Sequence, residues 1–410
     1  MTIHSEAVPA PVMSERRVSL IGAMLVAVGP ISLALYTPAM PQIVEAFGTT
    51  EAAVKMTLSL YFAGFAVAQL FCGPLSDGLG RKPVTFAFMG IYAVASLLAV
   101  VAPTVELLIA ARFLQGVGAA VGVAVSRALV RDLFTQEQSA RIMNLMGIIL
   151  AAGPALAPTI GGLTMELAGW HAIFLIMLAC GFVIVFIVQF WMRETVTRDM
   201  SRISPRGLLQ AYSQLLRSPY FLASSLVTAG SVGAMYTQAT VLPFILMNRV
   251  GLTPAEFGFG MLMQSGMFFA GSLAVRPLLR KVSAYQLVPV GLCFIAAGSI
   301  LLVYFLNTAP PTLLHVMGPV GFYSFGIAFV MPAMMTASLA PFPRIAGAAS
   351  SLSGFMQMGA GLLGGSIAAL IGDPVLAMGV VIPAMGTIAI VTWLFWRRLP
   401  EPAAAAIIRG

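Results

Sequence analysis

Residues 73–82 read Gly-Pro-Leu-Ser-Asp-Gly-Leu-Gly-Arg-Lys, set between the apolar stretches Leu58 to Cys72 and Val84 to Val101. Glycine and proline break or bend a chain, and Asp77, Arg81 and Lys82 hold it in water. Ten such residues between two membrane-length apolar runs mark a tight hairpin at a membrane surface.

The rest of the chain agrees with that solvent. It is 59% hydrophobic and 9% charged, with a mean hydropathy of +0.96, whereas an ordinary soluble domain is about 25% charged. A bilayer core needs roughly 20 apolar residues per helical crossing, since every backbone N–H and C=O must be paired within the segment. Twelve segments qualify: 18–37, 54–76, 84–102, 105–129, 142–164, 170–192, 220–246, 256–277, 285–306, 313–336, 345–371 and 375–396. The alternating pattern of a membrane barrel is absent. The predicted fold is an all-α membrane protein of twelve transmembrane helices in two pseudo-symmetric six-helix bundles. Its divisions are a tail (1–17), a first bundle (18–192), a linker (193–219), a second bundle (220–396) and a second tail (397–410).

Orientation follows from the basic residues. With the N-terminus inside, 19 of the 22 fall in inner loops and tails, among them Arg16, Arg17, Arg81, Lys82, Arg202, Arg280, Lys281 and Arg409. Lys55 and Arg249 are assigned to outer loops, and Arg112 lies within a span. Positive charge collects on the cytoplasmic side, so both termini are expected there. The net charge of +8 then reflects contact with anionic headgroups, and no aromatic-interleaved basic groove points to nucleic acid. Arg16-Arg17 ahead of Val18 to Leu35 imitates a secretory signal, but the run is longer than a signal core and no cleavage site follows. Cys72, Cys180 and Cys293 are far apart within apolar spans and read as small packing residues, building neither a disulfide framework nor a metal site. No cofactor is expected, and a monomer is.

The longest polar interval, Arg193 to Ser218, divides six spans from six. Its stretch Leu208 to Leu216 is helix-compatible, with Leu208, Leu209, Leu215 and Leu216 expected to dip into lipid. The halves carry a faint repeat. Gly48-Thr49-Thr50-Glu51 precedes span 2, and Gly251-Leu252-Thr253-Pro254-Ala255-Glu256, a capping box, precedes span 8. Those spans end in the basic pairs Arg81-Lys82 and Arg280-Lys281.

Gly73 to Lys82 resembles the loop between spans 2 and 3 of the major facilitator superfamily. Arg112-Phe-Leu-Gln115-Gly116 resembles the span 4 motif of its drug:proton antiporter branch, and Gly153-Pro154, Pro158 and Gly161-Gly162 resemble the span 5 antiporter motif. Tyr36-Thr-Pro38-Ala-Met-Pro41 and Arg127-Ala-Leu-Val-Arg131-Asp132 resemble the bicyclomycin/chloramphenicol resistance (Bcr/CflA) subfamily. The resemblance implies a multidrug efflux transporter of the bacterial inner membrane, exchanging small drug-like compounds for protons by alternating access. Importing or exporting one specific metabolite, or sensing without transport, are the alternatives. Enzyme and primary-pump readings lack residues: there is no H-E-x-x-H, no G-x-S-G, and none of Lys55, Lys82 and Lys281 follows a glycine.

Each motif also has a physical reading. Asp77 is placed to accept bonds from a helix start in the opposite half, or to pair with a cation, as a latch. Gly78 stands where the resembled loop usually carries a basic residue, so Arg81 with Asp132, beside Arg131, is expected to carry the remaining charge relay. Gly153-Pro154 offers a hinge. Arg112 lies several residues inside span 4, where such a charge faces a cavity or a partner unless it snorkels outward. Gln115, one turn on, shares its face, and the resemblance implies a role for Arg112 in proton transfer.

Span 1 departs from the pattern. Bcr/CflA-type proteins commonly carry an acid just before Tyr-x-Pro, and this chain has Ala34. No acid lies deep in a span: Asp77 and Asp132 sit at cytoplasmic ends, and Glu45, Glu51, Glu106, Glu166, Glu256 and Asp373 at outer ends. His4 is in the tail, and His171 and His315 begin spans near the surface. A cavity that binds cations offers a buried carboxylate, so neutral or anionic substrates are expected, with coupling either through a surface-near acid such as Glu106 or Glu166 or by a route that differs from the family's usual antiport. The resemblance places spans 1, 4, 7 and 10 around a central cavity, giving Tyr36, Gln115, Met235, Tyr236, Gln238, Phe322, Tyr323 and Phe325 as substrate contacts.

Overall fold

The computed structural model describes residues 12–200 and 203–400, with the backbone alone for 136, 137, 140, 144 and 147–151. His4, Arg202, Arg409 and most of both predicted tails lie outside the described residues. Among the described residues every regular element is helical.

The first half opens with α1 (Glu15–Tyr36), which runs through a short 3₁₀ turn at Thr37–Ala39 into α2 (Met40–Phe47). Then come α3 (Glu51–Leu79), α4 (Arg81–Val100), α5 (Val105–Ala119), α6 (Val121–Leu133) and α7 (Gln136–Phe190). The helices α5 and α6 form one crossing of 29 residues, and the 55 residues of α7 make two, broken at Gly169, whose φ of 73° is open to glycine. Pro154 and Pro158 lie inside α7, and the non-helical dihedrals are at Gly169, not at the predicted Gly153-Pro154 hinge.

The linker contains α8 (Pro205–Leu216). The second half holds α9 (Pro219–Pro243), extended by a π turn at Phe244–Arg249, then α10 (Pro254–Leu278), α11 (Ala284–Thr308), α12 (Leu313–Leu339), α13 (Ala346–Ile371) and α14 (Pro374–Trp396). Ten of these stretches are long and apolar enough to cross a membrane. One of the ten is the double crossing in α7. The twelfth crossing is α9, too polar to qualify on composition because Ser224, Ser225, Thr228, Ser231, Thr237, Gln238 and Thr240 are all buried against protein.

Helix starts follow their caps. Thr50 Oγ1 accepts from Ala53 N at 3.2 Å ahead of α3, and the expected capping box forms at α10, with Thr253 N donating to Glu256 and Glu256 N to Thr253 Oγ1. The repeat is visible in the backbone as well. Gly48 and Gly251 have φ of 56° and 84°, Gly169 and Gly372 have 73° and 81°, and both pairs stand 203 positions apart (48 to 251, 169 to 372). Positive φ is a glycine conformation, so each half ends corresponding helices in the same way.

Buried apolar side chains form one large cluster in each half. Ala239 and Phe244 of the second half belong to the first half's cluster, which joins the bundles at the end of the molecule where Glu45, Glu51, Glu166 and Asp373 lie. This is the acidic end, and the end carrying Arg81 is the basic end. At the acidic end Lys55, predicted in a loop, is instead fully buried within α3. Its Nζ reaches Glu51 at 3.3 Å and the Gly372 carbonyl at 3.2 Å, over the Phe244 ring. Asn248 bonds Glu51, Thr159 Oγ1 donates to the Gly258 carbonyl, and Glu166 accepts from Ala255 N at 3.1 Å. Gly162 and Gly258 have no room for a Cβ, because Pro254 and Pro158 backbone of the other half fills the space.

The linker helix differs from its sequence reading. Leu215 turns inward with Ala211, packing on Phe221, Ala349 and Leu352, and only Leu209 and Leu216 are exposed. Tyr212 Oη donates to the Leu70 carbonyl at 2.7 Å, and burial pushes its phenol up to about 12, so it remains a donor at any working pH.

Candidate functional site

Two clusters of charge are built into the first half. The first is the signature loop, which in the structure is hardly a loop. The helix α3 continues through Gly73, Pro74 and Asp77 to Leu79, so the turn narrows to Gly80, whose φ of 109° lets α4 start at Arg81. Arg81 is buried, with Nε donating to Asp132 Oδ2 at 3.0 Å, Nη1 donating to Ser76 Oγ at 2.8 Å, and Asp77 pairing with it one turn back. Asp77 therefore pairs with a cation of its own half. Arg131 is 67% exposed and reaches Asp132 at 3.8 Å.

Glu194, which the sequence did not single out, completes this cluster. Its carboxylate accepts from Arg81 N and Lys82 N at 2.9 and 3.2 Å, satisfying the first amides of α4, where a negative charge is stabilised by the helix dipole. Its signal was a lone acid at the end of the sixth crossing among arginines. Gly78 faces the linker: Asp199 N donates to its carbonyl at 2.9 Å, and a Cβ there would strike the Ile203 side chain. The loop thus clasps Asp199 and Ile203 of the linker.

The second cluster surrounds Arg112, about 10 Å into its crossing at 1.5 Å per residue. The side chain is 0% exposed, so it does not snorkel. Its Nη1 donates to Gln115 Oε1 at 2.7 Å, Gln115 Nε2 donates to Ser96 Oγ at 2.8 Å, and the Met177 sulfur lies 3.9 Å from Nη1. The guanidinium carbon sits over the rings of Tyr36 and Tyr61, at 4.4 and 4.5 Å from their centroids. Tyr36 Oη is held by Thr57 at 2.7 Å and Tyr61 Oη donates to the Gly29 carbonyl at 2.9 Å. Insertion of a central arginine costs about 2.5–3.5 kcal/mol, and a desolvated cation–π contact returns about 2 kcal/mol. Two rings are therefore enough to hold this charge without a carboxylate, and none forms an ion pair with it among the described residues.

The other expected contacts separate. Tyr236 packs against Phe62 across the two halves in a tilted pair, centroids 5.3 Å apart, and Met235 packs on the second core beside it. Gln238 accepts from Gln264 Nε2 at 2.7 Å. Tyr323 is buried within the second bundle, its Oη 3.4 Å from the Gly230 carbonyl. Phe322 is 40% exposed and stacks with Phe294, which also packs on Phe325, so these two belong to an aromatic cluster between α11 and α12. Gly153 lies against Ile31. Arg127 crosses to the second half, donating from Nη1 to Ser350 Oγ at 2.9 Å. His171 stacks on Trp170 and His315 on Phe305, both at helix starts near the acidic end. Cys72 is buried, whereas Cys180 and Cys293 are exposed.

The pattern that defines the Major Facilitator Superfamily matches residues 22–369, from the first crossing into the eleventh. The chain belongs to the major facilitator superfamily. Its relatives include multidrug resistance protein MdtL of Salmonella typhimurium (31% identical, covering 87% of this chain and 89% of that protein). They also include multidrug resistance protein D of Escherichia coli K12 (29% identical, covering 90% and 93%). Among solved structures a D-xylose-proton symporter superposes with a TM-score of 0.70, at 13% identity, over 95% of this chain and 99% of that one. This facilitator chain is thus a multi-pass membrane transporter, of a family whose members are not enzymes.

Proposed function

We propose that the transporter exports small drug-like compounds across the bacterial inner membrane in exchange for protons, by alternating access, favouring neutral or anionic compounds over lipophilic cations. The basic end faces the cytoplasm with both termini, and the bundles of residues 18–192 and 220–396 rock about the linker as a monomer. The observation that carries the substrate class is Arg112: this fully buried group inside a crossing is a cation without a carboxylate partner among the described residues, and Ala34 stands where an interior carboxylate would attract another cation. A cationic ligand there would meet like charge in a medium of low dielectric. The names of MdtL and multidrug resistance protein D support export.

Glu166 supports coupling from the acidic end. It joins α7 to the first turn of α10, so a proton taken up there weakens a charge-assisted bond between the halves. Glu106 is exposed and makes no such bond across among the described residues.

The test is a drug-susceptibility panel with and without the protein, paired with accumulation in inverted vesicles under an imposed pH gradient. Gradient-dependent accumulation of neutral or anionic antibiotics is expected. Strong accumulation of a quaternary ammonium dye with none of the neutral compounds would sink the substrate class, and accumulation of nothing would sink transport.

A further inference from the structure

We propose that Arg112 is a carboxylate-binding residue, and that the transporter's preferred cargo is an amphipathic organic anion bearing one carboxylate, which docks on the Nε–Nη2 edge of the guanidinium. This rests on the transport reading above and names the substrate class for it. The edge is the observation. Nη1 is taken by Gln115, while Nε and Nη2 are buried and have no hydrogen-bond partner among the described residues. Both unpartnered donors lie on one side of the planar group. That side is one of the two forks with which arginine grips a carboxylate through parallel bonds.

The surroundings suit such a ligand better than they suit a permanent partner. Tyr36 and Tyr61 turn their ring faces to the cation, which steadies it when the fork is empty but satisfies no N–H. Gln115 is itself fixed by Ser96, so it cannot swing round to fill the fork without losing that bond. Phe62, next to Tyr61, packs against Tyr236 of the other half with the rings tilted. An apolar body at the seam between the bundles would therefore have aromatic walls, with its carboxylate reaching past Tyr61 to Arg112. Loading neutralises a buried cation that no carboxylate pairs with among the described residues, which a neutral molecule cannot do.

The test is thermal unfolding of the purified protein in detergent with benzoate or octanoate, against benzamide and against sodium chloride at matched ionic strength. At least one carboxylate is expected to raise Tm saturably, and benzamide and chloride are not. Arg112→Gln should abolish the shift, and Arg112→Lys, a point charge without the fork, should weaken binding by about tenfold or more. If Arg112→Gln fails to fold, the lysine variant decides. No saturable shift with either carboxylate, an equal shift with benzamide, or a shift unchanged in Arg112→Lys would overturn the proposal. A chloride shift equal to that of the carboxylates would replace it with an inorganic-anion site. Export of a neutral antibiotic by the same preparation in proteoliposomes separates the outcomes: export without carboxylate binding removes this proposal alone, and no export at all removes the transport reading.

Discussion

At the scale of single residues, Gly78 shows how a departure from a familiar motif finds its reason only in three dimensions. In the sequence it is a missing basic residue in a charge relay; in the structure it is the flat spot on which Ile203 and the Asp199 backbone rest. Gly78→Arg, which restores the resembled pattern, should therefore lower transport, because the new side chain must displace the linker. Trimming the obstacle with Ile203→Ala should recover part of it, and drug efflux at equal expression measures both; undiminished efflux by Gly78→Arg would show that the linker contact is dispensable. Residues were legible where the chemistry is local. Arg112 and Gln115 share a face three positions apart, and the Thr253 box closes on itself. Glu194 meets Arg81 from 113 positions away, and no spacing rule reaches that far. Lys55 was misplaced because a lysine near a helix start reads as a loop cation, and burial of its whole stem depends on Phe244 and Gly372 of the other half.

Among elements, close approach decides which helices are neighbours. A Cβ on Gly64 would run into the Phe113 carbonyl, and one on Gly116 into the Tyr61 carbonyl, so α3 and α5 touch backbone to backbone around Tyr61 and bring that ring to Arg112. Gly64→Ala should destabilise the protein by about 1–3 kcal/mol through overpacking and weaken ligand binding with it. Gly90→Ala, with open space at its Cβ, should leave both near wild type; thermal unfolding of the two variants side by side is the check, and equal stability would remove the close-contact reading. Element number and order were plain in the sequence because crossings are long and the breaks between them are charged. Element facing was not. Lipid and protein interior are equally apolar, so nothing in the residue pattern told that Phe322 points away from the bundle while Tyr323 beside it is buried, or that α9 is enclosed along most of its length with Leu226 left exposed.

For the whole molecule, the acidic end is closed by contacts from both halves, with Lys55 at their centre. Removing its ammonium breaks its hydrogen bond to the Gly372 carbonyl, and a bond made by a charged group contributes about 1.5–3 kcal/mol, a large share of what separates two states of a rocking carrier. Lys55→Met keeps the apolar stem and should shift the population toward opening at that end. In a background lacking Cys72, Cys180 and Cys293, a cysteine replacing Ser59, which packs against Gly365 across the seam, should then react several-fold faster with a membrane-impermeant thiol reagent added from that side. An unchanged rate would mean that the other contacts hold the end shut without it.

Four bonds that tie the first half to the second half or the linker have one more property, which the Arg127–Ser350 and Asn248–Glu51 bonds lack. Lys55 holds the Gly372 carbonyl, Thr159 the Gly258 carbonyl, Glu166 the Ala255 amide and Tyr212 the Leu70 carbonyl, so at each of these points one half offers only main chain. Main chain is the same whatever the sequence. At these points the partner that offers main chain can therefore diverge in its side chains without unfastening the other, and chimaeras that exchange whole halves between relatives at about 30% identity should still assemble where Lys55, Thr159, Glu166 and Tyr212 are kept.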